Sequence, residues 1–143
     1  MKKKIKLSIC IPTYNVENTL KSTLNSIINQ SYKNIIIKIV DNCSSDKTIQ
    51  IAASFKDRRI KIFRYKKKVV AEENFNRCIK LSDGKYTAIY HADDIYDEEI
   101  VSKQVCFLEK NMKAGAVFSE GRLIDTDNRI ISNMNNPIKI KND

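Results

Sequence analysis

Hydrophobic residues recur along this chain at two alternating spacings, one typical of strands and the other of helices. Four short runs are rich in β-branched residues or alternate with period two, and they predict strands: Leu7–Pro12, Ile35–Val40, Ile60–Tyr65 and Tyr86–Tyr90. Between them, apolar positions fall on one helical face in segments that begin near Val16, Ile49 and Phe75. This alternation predicts an α/β fold, a mainly parallel sheet with helices on both faces.

The pattern after the fourth strand predicts smaller elements. A helix is expected to begin at Asp97 and to bury four apolar side chains, those of Val101, Val105, Leu108 and Met112. Ala114–Phe118 is predicted as a fifth strand, and Thr126–Asn128 has the composition of a hairpin turn between Leu123–Asp125 and Arg129–Ile131. Gly84 is expected to stop the helix that precedes the fourth strand.

Residues 1–132 are therefore predicted as one domain. The polar segment 133–143 has no periodic pattern and is predicted as a disordered tail or a truncation point. A chain of 143 residues with 42% hydrophobic and 30% charged residues suits a single globular core.

The charge balance favours an anionic partner. Lys and Arg number 26 against 17 Asp and Glu, which gives a formal net charge of +9. The lysine runs Lys2–Lys4 and Lys66–Lys68 lack interleaved aromatic residues, so nucleic-acid binding is not predicted. No apolar run approaches the ~18 residues of a membrane span, and the four cysteines form no C-x-x-C pair. We expect a cytoplasmic protein with reduced thiols, and peripheral association with the inner face of the membrane is the alternative.

Polar or aromatic residues follow three of the predicted strands at the point where each strand ends. Because the carboxyl ends of parallel strands meet at one edge of a sheet, where ligands bind, these side chains are expected to converge. They are Pro12, Thr13 and Tyr14 after the first strand, Asp41 after the second, and Asp93 and Asp94 after the fourth.

This set of side chains suits a nucleotide. Tyr14 would stack on a base, Asp41 would accept a hydrogen bond from a ring N–H, and the adjacent carboxylates would hold a divalent cation on a diphosphate. The alternatives are an ordinary loop tyrosine, a helix cap and a solvated acidic turn. No G-x-G-x-x-G or P-loop motif follows the first strand, which disfavours dinucleotide binding and Walker-type phosphate binding.

Three ordered motifs resemble those of the family 2 glycosyltransferases. They are Ser8–Asn15, Val40–Thr48, and Asp83–Tyr86 leading to His91–Asp94, within a resemblance that covers roughly Lys6 to Ile131. The resemblance implies a Rossmann-like GT-A fold, a nucleotide-diphosphate sugar donor with a UDP-sugar expected, and Mn²⁺ or Mg²⁺. It also implies inverting transfer to a sugar or lipid-linked acceptor in cell-surface polysaccharide or glycan synthesis.

The resemblance also assigns roles to particular residues. It implies that Pro12, Thr13 and Tyr14 line the nucleoside site, that Asp41 bonds the base, and that Asp93 and Asp94 serve the ribose and the metal-bound diphosphate. Asn74 and Arg77 lie in a stretch similar to one that the family places beside the donor. His91 stands where many members carry an acid, and we expect it to be a neutral strand-end residue, with metal ligation or nucleoside contact as alternatives.

The general base of an inverting transferase is not assigned within this sequence. In the family it follows the hairpin, whereas Glu120, Asp125 and Asp127 come too early. The chain is therefore predicted to be a donor-binding portion, truncated at the C-terminus and without transferase activity by itself. A nucleotidyltransferase and a noncatalytic nucleotide-binding module are the alternatives.

Overall fold

The computed structural model of the protein describes residues 6–134, which belong to two compact units that divide after Ser102. The first unit alternates strands and helices: β1 (Leu7–Thr13), α1 (Leu20–Ile28), β2 (Ile35–Asp41), α2 (Thr48–Ser54), β3 (Ile60–Arg64), α3 (Ala71–Leu81) and β4 (Tyr86–Ile89). Helix α4 (Ile100–Lys110) follows, and the second unit contains β5 (Gly121–Ile124) and β6 (Ile130–Met134). The four strands predicted before residue 100 are confirmed.

These four strands form one parallel sheet in the order β3-β2-β1-β4. The chain steps outward from β1 to β2 and β3, and then returns to the other side of β1 as β4. Because crossovers between parallel strands are right-handed, this reversal puts α3 on the face opposite α1 and α2. Helices on both faces are thereby confirmed, and the sheet has its topological switch point between β1 and β4.

Strand β1 is buried on both faces, as expected of a central parallel strand. Ile9 and Ile11 are fully buried on one face, and the other face packs Cys10 with Val40 of β2 and Cys78 of α3. Burial raises the pKa of the Cys10 thiol to about 11 and that of Cys78 to about 12. All four cysteines are free in this structure, and the reduced state of their thiols stays a prediction.

A buried lysine crosses the apolar interior beneath α3. The Lys38 side chain is 7% exposed, and its Nζ donates to Asp83 Oδ1 at 2.7 Å and to the Leu81 carbonyl. Ser8 Oγ and Lys6 Nζ also donate to the Asp83 carboxylate. The hydrogen bonds from Lys38 and then Lys6 hold the pKa of Asp83 well below its usual range. This cluster therefore fixes the junction between α3 and β4 against β1 and β2.

The predicted role of Gly84 as a helix stop is wrong. Helix α3 ends at Leu81, Ser82 is already extended, and Gly84 does not have a positive φ. Glycine is required here by close backbone approach, because a Cβ at this position would lie 2.7 Å from the Lys6 carbonyl oxygen and 2.8 Å from Ser8 N.

The structure corrects two further predictions. Ala114–Phe118 is not a strand, and Phe118 is 83% exposed. Alanine and glycine favour strands weakly, and no strand within residues 6–134 pairs with this run. Met112 lies past the end of α4 and is 76% exposed, whereas Val101 and Val105 are buried as predicted.

The predicted hairpin is confirmed as the antiparallel pair β5–β6. Asp125 Oδ1 accepts hydrogen bonds from the backbone N–H groups of Asp127 and Arg129, and Asn128 has φ 63°, which closes the turn. Strand β6 reaches Met134, two residues past the predicted domain end at 132, and the rest of the predicted tail, 135–143, lies outside the described residues.

Candidate functional site

The carboxyl edge of the sheet brings the predicted strand tips to one side of the first unit. Thr13 lies level with Asp41 in the register of β1 and β2. On the other side of β1, Tyr90 N donates to the Cys10 carbonyl at 3.0 Å, so the chain leaving β4 starts beside the end of β1. The predicted convergence therefore has a structural basis, with Asp41 and the Asp93–Asp94 turn on either side of β1.

Asp41 lies fully buried between two loops at this edge. Its Oδ1 accepts hydrogen bonds from the hydroxyls of Thr13, at 3.3 Å, and of Ser44, while Oδ2 accepts from Ser44 N at 3.1 Å. The carboxylate thus ties the end of β1 to the turn after β2. This arrangement favours a positioning role, and direct contact with a base stays a prediction because it requires the loops to part.

Tyr14 is presented at the rim by the loop that Asp41 helps to fix. Its side chain is 41% exposed, and Lys68 Nζ lies 3.9 Å from the centre of its ring. The next residue, Asn15, has φ 51°, and its Oδ1 accepts a hydrogen bond from Ser45 N at 2.9 Å. The aromatic ring is therefore held in place by its backbone while one face is in contact with a cation.

An amide clamp fixes the loop that carries Lys68. The Asn42 side chain donates from Nδ2 to the Val69 carbonyl at 2.8 Å and accepts from Val69 N at 2.9 Å. Arg77 completes the clamp, since NH1 donates to Asn42 Oδ1 at 3.2 Å and NH2 donates to the Lys67 carbonyl at 3.3 Å.

The two predicted site residues of α3, Asn74 and Arg77, thus make their contacts within the protein. The Arg77 guanidinium also lies 3.9 Å from the centre of the Tyr65 ring. Asn74 is 3% exposed and donates from Nδ2 to the Val40 carbonyl at 3.1 Å. These contacts favour a role in holding the loop after β3, and contact of either residue with a donor stays a prediction.

The acidic turn after β4 is anchored from two directions. The hydroxyls of Thr19 and Thr23 both donate to the Ala92 carbonyl at 2.9 Å. Tyr96 folds back and stacks on Tyr90, with ring centres 3.9 Å apart. These contacts fix the backbone on both sides of the carboxylate pair.

Tyr96 also makes the polar contacts that shape this turn. Its hydroxyl oxygen accepts from His91 N at 2.8 Å and lies 3.3 Å from the His91 carbonyl and 3.4 Å from Asp94 Oδ2. Burial, and then the negative charge of Asp94, raise the pKa of Tyr96 well above its usual range. The phenol therefore stays protonated and serves as a hydrogen-bonding brace.

The carboxylate pair suits a hard divalent cation. Asp93 and Asp94 are both exposed, and carboxylate oxygens are the ligands that Mg²⁺ and Mn²⁺ prefer. Residues 6–134 contain no group of three or more His, Cys, Asp or Glu side chains placed to hold a metal, so phosphate oxygens and water would complete the coordination. The His91 ring makes an edge contact with Phe75, at 5.8 Å between centres, which fits the expected strand-end role.

Replacing Tyr96 by phenylalanine tests this brace. The variant keeps the ring stack but loses the hydrogen bonds to His91 and Asp94, so we expect about 1 kcal/mol of lost stability. We also expect several-fold weaker Mn²⁺-dependent binding of UDP, measured by titration calorimetry. Tyr32→Phe, in the loop before β2, is the matched control. Unchanged metal-dependent binding in Tyr96→Phe would show that the brace does not position the carboxylates.

Sequence reasoning missed the residues that position this site. Thr19, Thr23 and Tyr96 carry no signal in a single sequence, because their partners lie some 70 residues away or in a turn without periodicity. Asn42 lies in the second motif, directly after Asp41, and this position is the one feature of the sequence that points to a role in the site.

The first unit is thus an α/β protein with a doubly wound parallel sheet and an acidic turn beside the switch point, the place where open α/β sheets bind their ligands. The model of the Glycosyl transferase family 2 matches residues 8–140, and the chain belongs to this family. One relative is the UDP-Glc:alpha-D-GlcNAc-diphosphoundecaprenol beta-1,3-glucosyltransferase WfaP of Escherichia coli. The two are 35% identical over 103 residues, which are 72% of this chain and 41% of WfaP. Family membership does not favour the nucleotidyltransferase alternative.

Solved structures confirm the GT-A fold. Staphylococcus aureus TarS 1-349 in complex with UDP-GlcNAc has a TM-score of 0.71 and 24% identity, over 76% of this chain and 32% of TarS. The mannosyltransferase PcManGT of Pyrobaculum calidifontis, in complex with GDP-Man and Mn²⁺, has a TM-score of 0.67 and 19% identity, over 75% of this chain and 33% of PcManGT.

The chain spans 41% of the length of WfaP and 39% of that of EpsE of Bacillus subtilis, and as little as 18% of other curated relatives it matches. Among the helices of residues 6–134, none is both long and apolar enough to cross a bilayer.

Proposed function

We propose that this chain is the donor-binding portion of a glycosyltransferase that takes a UDP-sugar through a divalent cation, with a donor-binding domain that extends to about residue 132. The observation that carries the proposal is the exposed Asp93–Asp94 turn, which is braced at the same sheet edge as the Tyr14 rim. The UDP-Glc in the name of WfaP and the UDP-GlcNAc complex of TarS support a uridine donor. The Mn²⁺ complex of PcManGT supports a metal ion.

The proposed chemistry follows from where charge develops. Cleavage of the sugar–phosphate bond leaves negative charge on the departing diphosphate, and a bound Mn²⁺ or Mg²⁺ supplies Lewis-acid stabilisation of that charge. Asp93 and Asp94 would hold the ion, with Asp93 also reaching the ribose. Tyr14 would stack on the base, and Lys68, already at the Tyr14 ring, would approach the phosphates.

The two acids of the hairpin turn are engaged locally, which disfavours either of them as the general base for the acceptor. Asp125 is occupied by the N–H groups of its own turn, and Asp127 lies 3.7 Å from Arg129. We therefore propose that the base and the acceptor site belong to a longer protein. A lipid-linked acceptor and peripheral association with the inner face of the membrane are proposed from the diphosphoundecaprenol substrate named for WfaP.

Titration calorimetry with UDP, GDP and CDP, each with and without Mn²⁺, tests the donor site. We expect UDP to bind best and Mn²⁺ to strengthen its binding by about tenfold or more, because the cation screens the diphosphate against two carboxylates. Asp94→Asn should remove the metal-dependent part of the binding. Asp97→Asn is the matched control, because it removes an exposed acid three residues away whose Oδ1 accepts from Glu99 N. Equal, metal-independent binding of all three nucleotides would refute the proposal.

A further inference from the structure

The amino-terminal edge of the parallel sheet carries a concavity, at the end of the sheet opposite the acidic turn. Its volume is about 630 Å³, within the usual range of small-molecule sites. It is formed by the residues that immediately precede β1, β2 and β3 and by the first residues of β2. They are Lys6, Lys33, Asn34, Ile35, Ile36, Lys56, Asp57, Arg58 and Arg59. Five of these nine residues are Lys or Arg, and one is acidic.

Two of the five cations are already neutralised within the protein. Arg59 pairs with Asp57 through three side-chain hydrogen bonds, from Nε to Oδ1 at 3.0 Å and to Oδ2 at 3.2 Å and from NH2 to Oδ2 at 2.7 Å, and NH2 also donates to the Ile28 carbonyl. The hydrogen bond from Arg59 lowers the pKa of Asp57, so this pair stays charged and fixed. Lys6 pairs with Asp83 at 2.8 Å.

The other three cations lack such an ion pair, although the charge of Arg58 contributes to the lowered pKa of Asp57. Lys33, Lys56 and Arg58 are exposed, and none of them forms an ion pair with any residue between 6 and 134. Like charges that share one concavity repel one another and raise the local positive potential, which favours a multiply charged anion. The wall of this concavity therefore carries three cations without an ion pair beside the fixed Arg59–Asp57 pair. Its excess is three positive charges.

We infer that this basic concavity is a second anion site, which binds a phosphate-bearing group. A phosphate offers up to two negative charges and several acceptor oxygens, which match the ammonium groups of Lys33 and Lys56 and the forked guanidinium of Arg58. The group is either a free phosphate compound or the headgroup of an anionic phospholipid. Since β1 and β2 are each seven residues long, the site lies roughly 20 Å from the donor edge, and the two sites share no residue.

The test compares two triple variants of the 143-residue chain that remove the same charge. The first variant removes the three cations of the concavity that lack an ion pair and is Lys33→Gln/Lys56→Gln/Arg58→Gln. Lys21→Gln/Lys80→Gln/Lys110→Gln removes three exposed lysines from helix surfaces elsewhere. Binding of inorganic pyrophosphate is measured by calorimetry in EDTA, and co-sedimentation is measured with phosphatidylcholine vesicles that contain or lack phosphatidylglycerol.

We expect the concavity triple variant to bind pyrophosphate, the anionic vesicles or both at least about tenfold more weakly than the wild type does. The surface triple variant is expected to lose less than about threefold in affinity for the same probe. The probe that shows this difference identifies the source of the phosphate. Asp94→Asn should leave this binding unchanged, so failure of the donor site and failure of this site are distinguishable. The inference is overturned if the wild-type chain binds neither probe, or if the two triples lose affinity equally.

Discussion

Gly84→Ala is expected to lower the free energy of unfolding by about 3 kcal/mol, at the upper end of what overpacking usually costs. The added Cβ would lie between 2.7 and 2.8 Å from three backbone atoms, Lys6 O, Ser8 N and Tyr86 O. Backbone atoms cannot rotate aside as a flexible side chain can. The variant must therefore separate β4 from β1 or distort the Asp83 cluster that fastens their junction.

Chemical denaturation of the wild type and the variant measures this loss, which corresponds to roughly 10 °C in Tm. Gly115→Ala is the matched control, because its added Cβ would have no atom within 4 Å and its φ is not positive. We expect the control to change stability by no more than about 0.5 kcal/mol. A Gly84→Ala variant as stable as the control would show that β1 and β4 approach each other less closely than the backbone indicates.

The hydrophobic pattern was sufficient to predict the parallel sheet and its helices. The segment Ile35–Asp41 strongly favours a strand, because a run of β-branched residues that ends in a carboxylate is typical of a buried strand with a polar tip. Ala114–Phe118 has the length of a strand, but no strand in the described part of the chain pairs with it. A single sequence does not show whether a strand finds a partner, and this is why the fifth strand was predicted wrongly.

The candidate site was predictable to the level of which side chains share an edge, because strand direction alone decides that. What each side chain does there was not predictable. Asp41 and Arg77 have charges that suit a ligand, but the folded chain engages both with its own loops. Hydrogen bonds between residues 28 to 73 positions apart leave no periodic trace in the sequence, so the positioning residues appear only in the structure.

These contacts separate exposed rim residues, which we propose to touch the donor, from buried residues that position the loops. Tyr14, Asp93 and Asp94 are exposed at the rim, whereas Asp41 and Asn74 are buried behind it. A buried carboxylate that accepts three hydrogen bonds is a costly group to remove, since its donors lose their partners at the same time. Asp41 is therefore the residue at which stability and binding should fall together.

Asp41→Ala is expected to cost about 3 kcal/mol of stability and to weaken metal-free UDP binding by at least about tenfold, because Thr13 and Ser44 lose the carboxylate that joins their loops. Calorimetry below the unfolding transition measures the binding. Leu24→Ala in α1 is the control for lost stability alone, and it should leave UDP affinity intact. Ser44→Ala keeps the carboxylate but breaks its link to the turn. A positioning role predicts that Ser44→Ala also weakens UDP binding, whereas unchanged affinity in that variant would assign Asp41 to direct contact with the base.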